Sequence, residues 1–166
     1  MGHAAPVKLG GPGKGVGVSQ LWVALLVGAI LGLQAIFWIV FAIWFRNKRR
    51  ALLVSMQHEL LASGETAIRG PEGALYAGAN RGFPGSSGNG LILLTRQRLV
   101  FCKVTGGRIE VPLEQVAAIR EATWFRRSYR SGRQHLILQL QDGNEVGFIV
   151  ADHPGWLDAM RQAVAR

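Results

Sequence analysis

The sequence is poor in cysteine and in charged residues. Cys102 is the one cysteine among 166 residues, so an internal disulfide and a metal site built from cysteines are both excluded. Charged residues make up 17% of the chain and hydrophobic residues 49%, so apolar residues must be concentrated in one part of it. This composition excludes collagen-like, disordered and disulfide-framework proteins. The length favours one folded domain with an appendage.

Acidic residues are scarce as well. Ten Asp and Glu stand against 19 Lys and Arg, which gives a net charge of +9. The excess is uneven, because residues 1–20 carry +2, residues 46–50 carry +4 and the remainder carries +3. Since the part after residue 50 is only weakly basic and has no recognised binding motif, nucleic acid is not expected as a partner.

A long apolar segment explains the low charge. From Leu21 to Phe45 the chain has 25 residues without a charged side chain, and Gln34 is its one strongly polar residue. As a helix this segment would be about 37 Å long, enough to cross a hydrocarbon core of about 30 Å. Trp22 at one end and Trp44 at the other match the headgroup preference of aromatic rings. The segment is therefore predicted to be a transmembrane helix, rather than a buried core helix or a cleaved signal peptide.

Basic residues after this segment predict its orientation. They are Arg46, Lys48, Arg49 and Arg50. Since the positive flank of a span stays in the cytoplasm, residues 1–20 are predicted to be a flexible extracytoplasmic tail and the chain from residue 46 onward to be cytoplasmic. A composition rich in Ala, Gly and Arg favours a bacterial inner membrane, with an internal organelle membrane as the alternative. The cluster can also attract anionic lipids, because each basic residue near an anionic leaflet adds roughly 1 kcal/mol.

Small residues lie along one face of the predicted span. They are Ala24, Gly28, Gly32 and Ala35. Small side chains let a second helix approach closely, so pairing in a homodimer or with a partner membrane protein is an open alternative. Gln34 projects about 200° away from Gly32 and cannot hydrogen-bond across the same contact.

Residues 46–63 are predicted to form a basic juxtamembrane helix. Leu53, Met56 and Leu60 follow helical spacing, and Gly64 is a plausible stop. We expect this apolar stripe to pack on the chain's own domain rather than on a partner.

Residues 64–166 have the pattern of a small antiparallel barrel or sandwich, because glycine clusters separate short apolar or alternating runs. The predicted strands are residues 66–77, 91–94, 99–104, 108–111, 116–125, 136–140 and 146–150. Asp142 and Gly143 indicate a hairpin between the last two. Pro154 and the spacing of Trp156 and Met160 predict a C-terminal helix, with Asp152 or His153 as its cap and Trp156 in the core.

The order of these elements resembles the PH-like superfamily, and within it the GRAM and bacterial PH domains. The resemblance rests on residues 90–101 and 109–116, the Asp-Gly hairpin and Trp156, and it covers about residues 64–166. It implies an α+β fold, in which a single transmembrane helix precedes a PH-like antiparallel β-barrel or sandwich of about seven strands capped by a C-terminal helix. It also implies a non-enzymatic module that binds lipid headgroups, peptides or other proteins. The loop at residues 78–90 offers only Arg81 in place of the dense Lys/Arg pattern of a typical phosphoinositide site.

Candidate binding residues are concentrated between residues 124 and 133, where arginines alternate with aromatic rings. The set comprises Trp124, Arg126, Arg127, Tyr129, Arg130 and Arg133. Arginine binds phosphate with two parallel hydrogen bonds, and aromatic rings enter the headgroup layer. The segment is predicted to contact lipid or a protein partner, with a solvated loop around a core Trp124 as the other interpretation.

Groups that carry catalysis or bind metals are few. The four histidines stand at positions 3, 58, 135 and 153, and they form no metal-ligand spacing and no Ser/His/Asp grouping. Cys102 has no neighbouring histidine or lysine motif that would activate its thiol. Helix capping explains Asp152 beside His153 better than catalysis does. We therefore expect no catalytic residues, no metal and no cofactor.

Together these features predict a membrane-anchored, non-enzymatic binding module on the cytoplasmic face, which contacts anionic lipid headgroups or a protein partner. The alternative is a small structural or scaffold subunit of a larger membrane complex. Such a subunit would use the small-residue face of its span and the PH-like domain for protein docking.

Overall fold

The computed structural model describes residues 18–126, 128–129 and 132–165. The chain divides into two units, one that ends at Ile43 and one that begins at Trp44. The first helix, α1 (Val18–Ser63), contributes to both units. Of the predicted tail at residues 1–20, the last three positions lie in α1 and the others are outside the described residues.

The first unit is an exposed apolar helical segment. Every described side chain from Gln20 to Ile43 is exposed, including Leu33 at 69% and Trp22 at 67%. Among the residues that the structure describes, α1 is the one helix long and apolar enough to cross a membrane, and none of its most apolar window is buried. A core helix of a soluble protein would be mostly buried, so this segment fits a single-pass membrane protein.

The second unit is a curled antiparallel sheet followed by a helix. Its seven-stranded sheet has the order β4-β3-β2-β1-β9-β8-β5, and β6 pairs with β7 in a separate two-stranded ribbon. The strands are β1 (Ala67–Ala79), β2 (Gly88–Thr95), β3 (Arg98–Lys103), β4 (Arg108–Pro112), β5 (Val116–Ala122), β6 (Trp124–Phe125), β7 (Ser128–Tyr129), β8 (His135–Leu140) and β9 (Glu145–Val150). The chain closes with α2 (His153–Val164). The predicted fold class, an apolar helix before about seven antiparallel strands and a C-terminal helix, is confirmed.

One predicted strand is in fact two. The sequence pattern predicts a single strand over residues 116–125, but β5 ends at Ala122 and β6 leaves the sheet to pair with β7. The physical reason lies at Phe125, which is 3% exposed and packs with Ala77 and Ile137. An added Cβ at Gly147 would lie 2.5 Å from a carbon of the Phe125 ring, so the ring needs glycine beneath it. The ribbon turns out of the sheet to bring this ring onto the outer face.

The inner face of the sheet encloses the main core. Alternate residues of β8 and β9, among them Leu136, Leu138 and Phe148, are buried there as the hairpin pattern predicts. The fully buried Trp156 of α2 joins this core and donates a hydrogen bond from Nε1 to Glu72 at 2.9 Å. Asp152 caps α2, because its carboxylate accepts a hydrogen bond from the backbone N–H of Gly155.

The outer face of the sheet is partly covered by the last turns of α1. Leu91 and Leu93 of β2 and Val100 and Cys102 of β3 form a second buried cluster with Met56 of α1. Strands buried on both faces read as continuous apolar runs, and this accounts for the unbroken Leu-Ile-Leu-Leu and Leu-Val-Phe-Cys segments of β2 and β3. The expectation that the stripe of residues 52–60 packs on its own domain is confirmed.

Ion pairs surround one side of this contact. Glu59 of α1 accepts hydrogen bonds from Arg108 of β4, and its Oε1 lies 3.2 Å from Nη2 of Arg98 of β3. Arg98 also pairs with Glu65 at 2.8 Å and with Glu110. The hydrogen bond from Arg108 holds the pKa of Glu59 below its usual value. The helix is therefore joined to two strands by an apolar centre and a charged border.

Replacing Met56 with alanine tests the apolar part of this contact. Met56 is 2% exposed, so Met56→Ala is expected to lower the free energy of unfolding by about 2–4 kcal/mol through lost burial and a residual cavity. The measurement is urea denaturation of the full chain in detergent micelles, followed by near-ultraviolet circular dichroism. Leu61→Ala is the matched control, because Leu61 is 82% exposed on the same helix. Equal effects of the two substitutions would contradict the packing of α1 on the sheet.

Replacing Glu59 with glutamine tests the charged part. At pH 7, Glu59→Gln is expected to cost about 1 kcal/mol, since the pairs are partly exposed to solvent. The folded-state pKa of Glu59 lies below its unfolded value of about 4.5, so its contribution is complete above that value and is lost as the pH falls through the folded pKa. The stability curves of the natural chain and the variant should converge in that acidic range. Glu114→Gln, at an exposed residue without an ion pair in the described part of the chain, should leave the curve unchanged. Curves that run parallel throughout would contradict the assignment.

Candidate functional site

A groove lies on the outer face of the sheet, between the part covered by α1 and the part covered by Phe125. Gly73 and Leu75 of β1 and Ile149 of β9 form its floor, and its volume is about 630 Å³. Phe45 and Arg49 of α1 line it. The other lining residues are Ala74, Asn89, Gly90, Val104, Arg133, Val150 and Ala151.

The sheet order explains why the groove is there. β1 is the central strand of the sheet and β9 is its neighbour, so their outer faces lie between the two outer clusters. The helix covers β2 and β3 on one side through Met56. On the other side the β6–β7 ribbon covers β8 through Phe125. The outer face of β1 and β9 remains open as a channel between the two covers.

Arg49 is held against the floor of the groove. An added Cβ at Gly73 would lie 3.2 Å from Nη2 of Arg49, so the guanidinium rests directly over the backbone of β1. A larger side chain at position 73 would displace it. The helix that supplies Arg49 is itself fixed to the sheet by the Met56 contact, and this limits the freedom of the side chain.

The electrostatics of the groove are positive and unbalanced. Arg49 and Arg133 both line it, and no acidic side chain in the described part of the chain forms an ion pair with either. Elsewhere in the same unit, arginines are matched with carboxylates. Such pairs join Arg69 to Asp152, Arg98 to Glu65, Arg108 to Glu59 and Arg120 to Glu145. Two guanidinium groups without an acid in one cavity can bind phosphate or carboxylate oxygens.

The predicted arginine-rich segment is divided by the structure. Trp124 is 60% exposed, so the interpretation that places it in the core is wrong. Arg126 lies in the left-handed region at φ 44° and directs its guanidinium toward Gly78 and Gly85, away from the groove. Tyr129 pairs through its backbone with Trp124. Arg127 and Arg130 lie outside the described residues, and Arg133 alone of the set lines the groove.

The other predicted groups are also placed by the structure. Within the basic cluster, Arg46 and Arg50 are exposed on α1, and Lys48 lines a different depression, next to Leu52 and Lys103. The small-residue face is exposed, and nothing lies within 4 Å of a Cβ added at Gly28 or Gly32. Ala24 and Ala35 are exposed in the same apolar segment.

The structure thus brings together one arginine from each predicted basic group, Arg49 and Arg133. The floor beneath them, Gly73, Leu75 and Ile149, is absent from the sequence-based site. Continuous apolar runs in β2 and β9 indicate that these strands are buried on both faces, so other elements must pack on the outer face of the sheet. The groove is the part of that face that stays open, and its position depends on the strand order, which the apolar runs do not reveal.

The remaining reactive groups are engaged in the fold. Cys102 is buried beneath α1, and burial raises the pKa of its thiol. His153 Nε2 lies 2.9 Å from Oε2 of Glu121. Among the described residues, no group of three His, Cys, Asp or Glu is arranged to hold a metal ion.

Thiol labelling tests the burial of Cys102. In the folded full chain, Cys102 should react with a maleimide at least about tenfold more slowly than in urea, because the reagent needs an accessible thiolate. An introduced thiol at the exposed position 134, in Gln134→Cys, should react rapidly in the same chain. Rapid labelling of Cys102 without denaturant would show that α1 does not cover this part of the sheet.

Comparison with known proteins gives likenesses of fold. No protein-family model matches the sequence, and no curated protein matches it. The structure is similar to the C-terminal domain of an unknown protein from Leishmania infantum, with a TM-score of 0.49 and 10% identity, over 68% of this chain and 96% of that one. It is also similar to the Vps36 N-terminal PH domain, with a TM-score of 0.44 and 19% identity, over 62% of this chain and 81% of that one. Function has to be inferred from the chain's own groove and helix.

Proposed function

We propose that this chain is a single-pass membrane protein whose cytoplasmic part is a PH-like, non-enzymatic binding module that contacts the anionic lipid headgroups of its own membrane. The observation that carries the proposal is the groove that holds Arg49 and Arg133. One of these residues belongs to the basic cluster directly after the apolar segment, and the other follows the arginine-rich ribbon.

The apolar segment supports the membrane anchor. Its side chains are exposed throughout the described part of the first unit, and burying that surface in hydrocarbon is strongly favourable, at roughly 25 cal/mol per Å². The flanking charges, +2 in residues 1–20 and +4 in residues 46–50, support a cytoplasmic location of the second unit.

Helix geometry supports contact with headgroups. Arg49 follows Phe45, the end of the predicted span, by four residues, which corresponds to about 6 Å along a helix axis. The headgroup region on each side of a bilayer is about 5–8 Å thick, from the difference between total and hydrocarbon thickness. A span that ends at Phe45 would therefore bring the backbone of Arg49 to the level of the lipid phosphates.

Tethering makes weak contacts sufficient. A domain linked to its own membrane meets the lipid surface at a high effective concentration, so each contact adds to an association that is already intramolecular. Each basic residue near an anionic leaflet contributes roughly 1 kcal/mol. A few arginines at the surface are then enough to hold one face of the domain against the bilayer.

The acidic residues of the domain support a binding role over a catalytic one. Glu59, Glu110, Glu145 and Asp152 all form ion pairs with arginine. The pKa of Glu59 is lowered by its hydrogen bond from Arg108, and that of Glu145 by its hydrogen bond from Gln139. Carboxylates held ionised in this way are poor proton donors at neutral pH.

The alternative function, a structural subunit of a larger membrane complex, has its own supporting observation. Gly28 and Gly32 lie in an exposed helical segment, and an added Cβ at either has nothing within 4 Å. Ala24 and Gly28 line an open depression on the same helix. A second helix can approach such a face closely.

Fluorescence transfer in nanodiscs tests the proposed function. The full chain carries a donor at Gln134→Cys, one residue after Arg133, and the nanodiscs carry a headgroup-labelled acceptor lipid. We expect higher transfer in discs with anionic lipid than in zwitterionic discs, and a decrease as salt shortens the screening length from about 10 Å at 0.1 M to about 3 Å at 1 M. The buried Cys102 leaves the introduced thiol as the labelled site.

A donor at Gln162→Cys, on the exposed side of α2, is the matched control and should respond much less. Transfer from position 134 that is insensitive to lipid charge and to salt would contradict headgroup contact. If the gently solubilised chain then co-migrates with a larger assembly on size-exclusion chromatography, the structural-subunit function is supported instead.

A further inference from the structure

The two arginines of the groove are separated from the acids of the domain. Arg49 and Arg133 line one cavity, whereas carboxylates pair with arginines elsewhere in the unit. Like charges that face one cavity repel each other, and the repulsion increases where low-dielectric walls replace water. An anion between them would remove this cost and gain charge-assisted hydrogen bonds.

The groove is built to keep these charges in place. Nη2 of Arg49 lies over Gly73, where an added Cβ would come within 3.2 Å. Of the floor residues, Ile149 is buried, at 4% exposed, Leu75 is half-buried and Gly73 is exposed. A guanidinium that already lies next to the strand needs little rearrangement to bind an anion there, and this favours a defined site over diffuse attraction.

The position of Phe45 favours a lipid over a free anion. Phe45 lines the groove together with Arg49, and it ends the apolar segment of the sequence. A phosphate between Arg49 and Arg133 would therefore have an apolar aromatic ring beside it, which can contact an acyl chain of the same phospholipid.

The charge of the groove favours a particular phosphate. Two guanidinium groups carry two positive charges at every physiological pH. A phosphomonoester carries about −1.5 to −2 at pH 7, whereas a phosphodiester carries about one negative charge. The monoester has the better charge match.

We infer that the groove is a stoichiometric site for one anionic phospholipid, whose phosphate is bound between Arg49 and Arg133, with a phosphomonoester lipid preferred over a phosphodiester lipid. The site lies on the outer face of β1 and β9, and it is separate from the loop between β1 and β2 that carries Arg81. This inference rests on the proposed function and adds to it a defined ligand and place.

Native mass spectrometry of the full chain released from detergent tests the site. The chain is incubated in turn with phosphatidic acid, phosphatidylglycerol and phosphatidylcholine of the same acyl chains. We expect one retained lipid per chain, with affinity highest for phosphatidic acid and lowest for phosphatidylcholine. Arg49→Gln and Arg133→Gln should each weaken binding of phosphatidic acid by about tenfold or more, the effect of losing a hydrogen bond to a charged group.

Two controls separate the site from net charge. Arg96→Gln and Arg161→Gln remove the same charge at described, exposed positions outside the groove lining, and they should change binding less than about twofold, as distant surface charges do. Gly73→Val keeps every charge but crowds the guanidinium of Arg49, so it should weaken binding measurably. Thermal unfolding of each variant checks that the fold is intact.

The outcomes separate this inference from the proposed function. Equal losses in all four charge variants, or full binding by Gly73→Val, would overturn the groove site and leave diffuse headgroup contact standing. Inorganic phosphate that competes at the same concentration as phosphatidic acid would overturn the lipid assignment. If native mass spectrometry shows no preference for anionic lipids, and transfer in the nanodiscs does not respond to lipid charge, both the groove site and headgroup contact are overturned.

Discussion

The packing of the last turns of α1 on the outer face of the sheet is the contact on which the rest of this structure depends. Met56 meets Leu91, Leu93, Val100 and Cys102 there, so β2 and β3 are buried on both faces. Without the helix these strands would expose a large apolar surface to water. The same contact carries Arg49 to the edge of β1 and leaves a channel beside it. The core, the groove and the position of its first arginine therefore share one cause.

This contact also changes what counts as the folded domain. The second unit begins at Trp44 and includes the sheet. The helical residues 44–63 are therefore part of the folded domain, although they also continue the apolar segment in sequence. Glu59 strengthens the junction through Arg98 and Arg108.

The proposed headgroup contact and the proposed lipid site both depend on a contrast between arginines that form ion pairs with carboxylates and arginines that do not. Arginines that pair with carboxylates, such as Arg98 and Arg120, stabilise the fold and have little capacity left for a ligand. Arg49 and Arg133 lack such partners in the described part of the chain, and they share a cavity. Charge that the fold does not use internally is available for binding, and an anionic membrane surface is the partner that we propose for it.

The sequence by itself determined the elements that depend on local pattern. The 25-residue apolar segment, the strands around the Asp-Gly hairpin, a helix cap at Asp152 or His153 and the buried Trp156 all follow from periodicity and turn chemistry. Only the tertiary structure decided that residues 116–125 divide at Thr123, because the reason is a contact between Phe125 and Gly147 that is distant in sequence. It likewise decided that Arg49 and Arg133 line the same groove. Side-chain periodicity gives the face on which a residue lies, but the strand order gives its neighbours, and strand order depends on long-range pairing that local pattern does not encode.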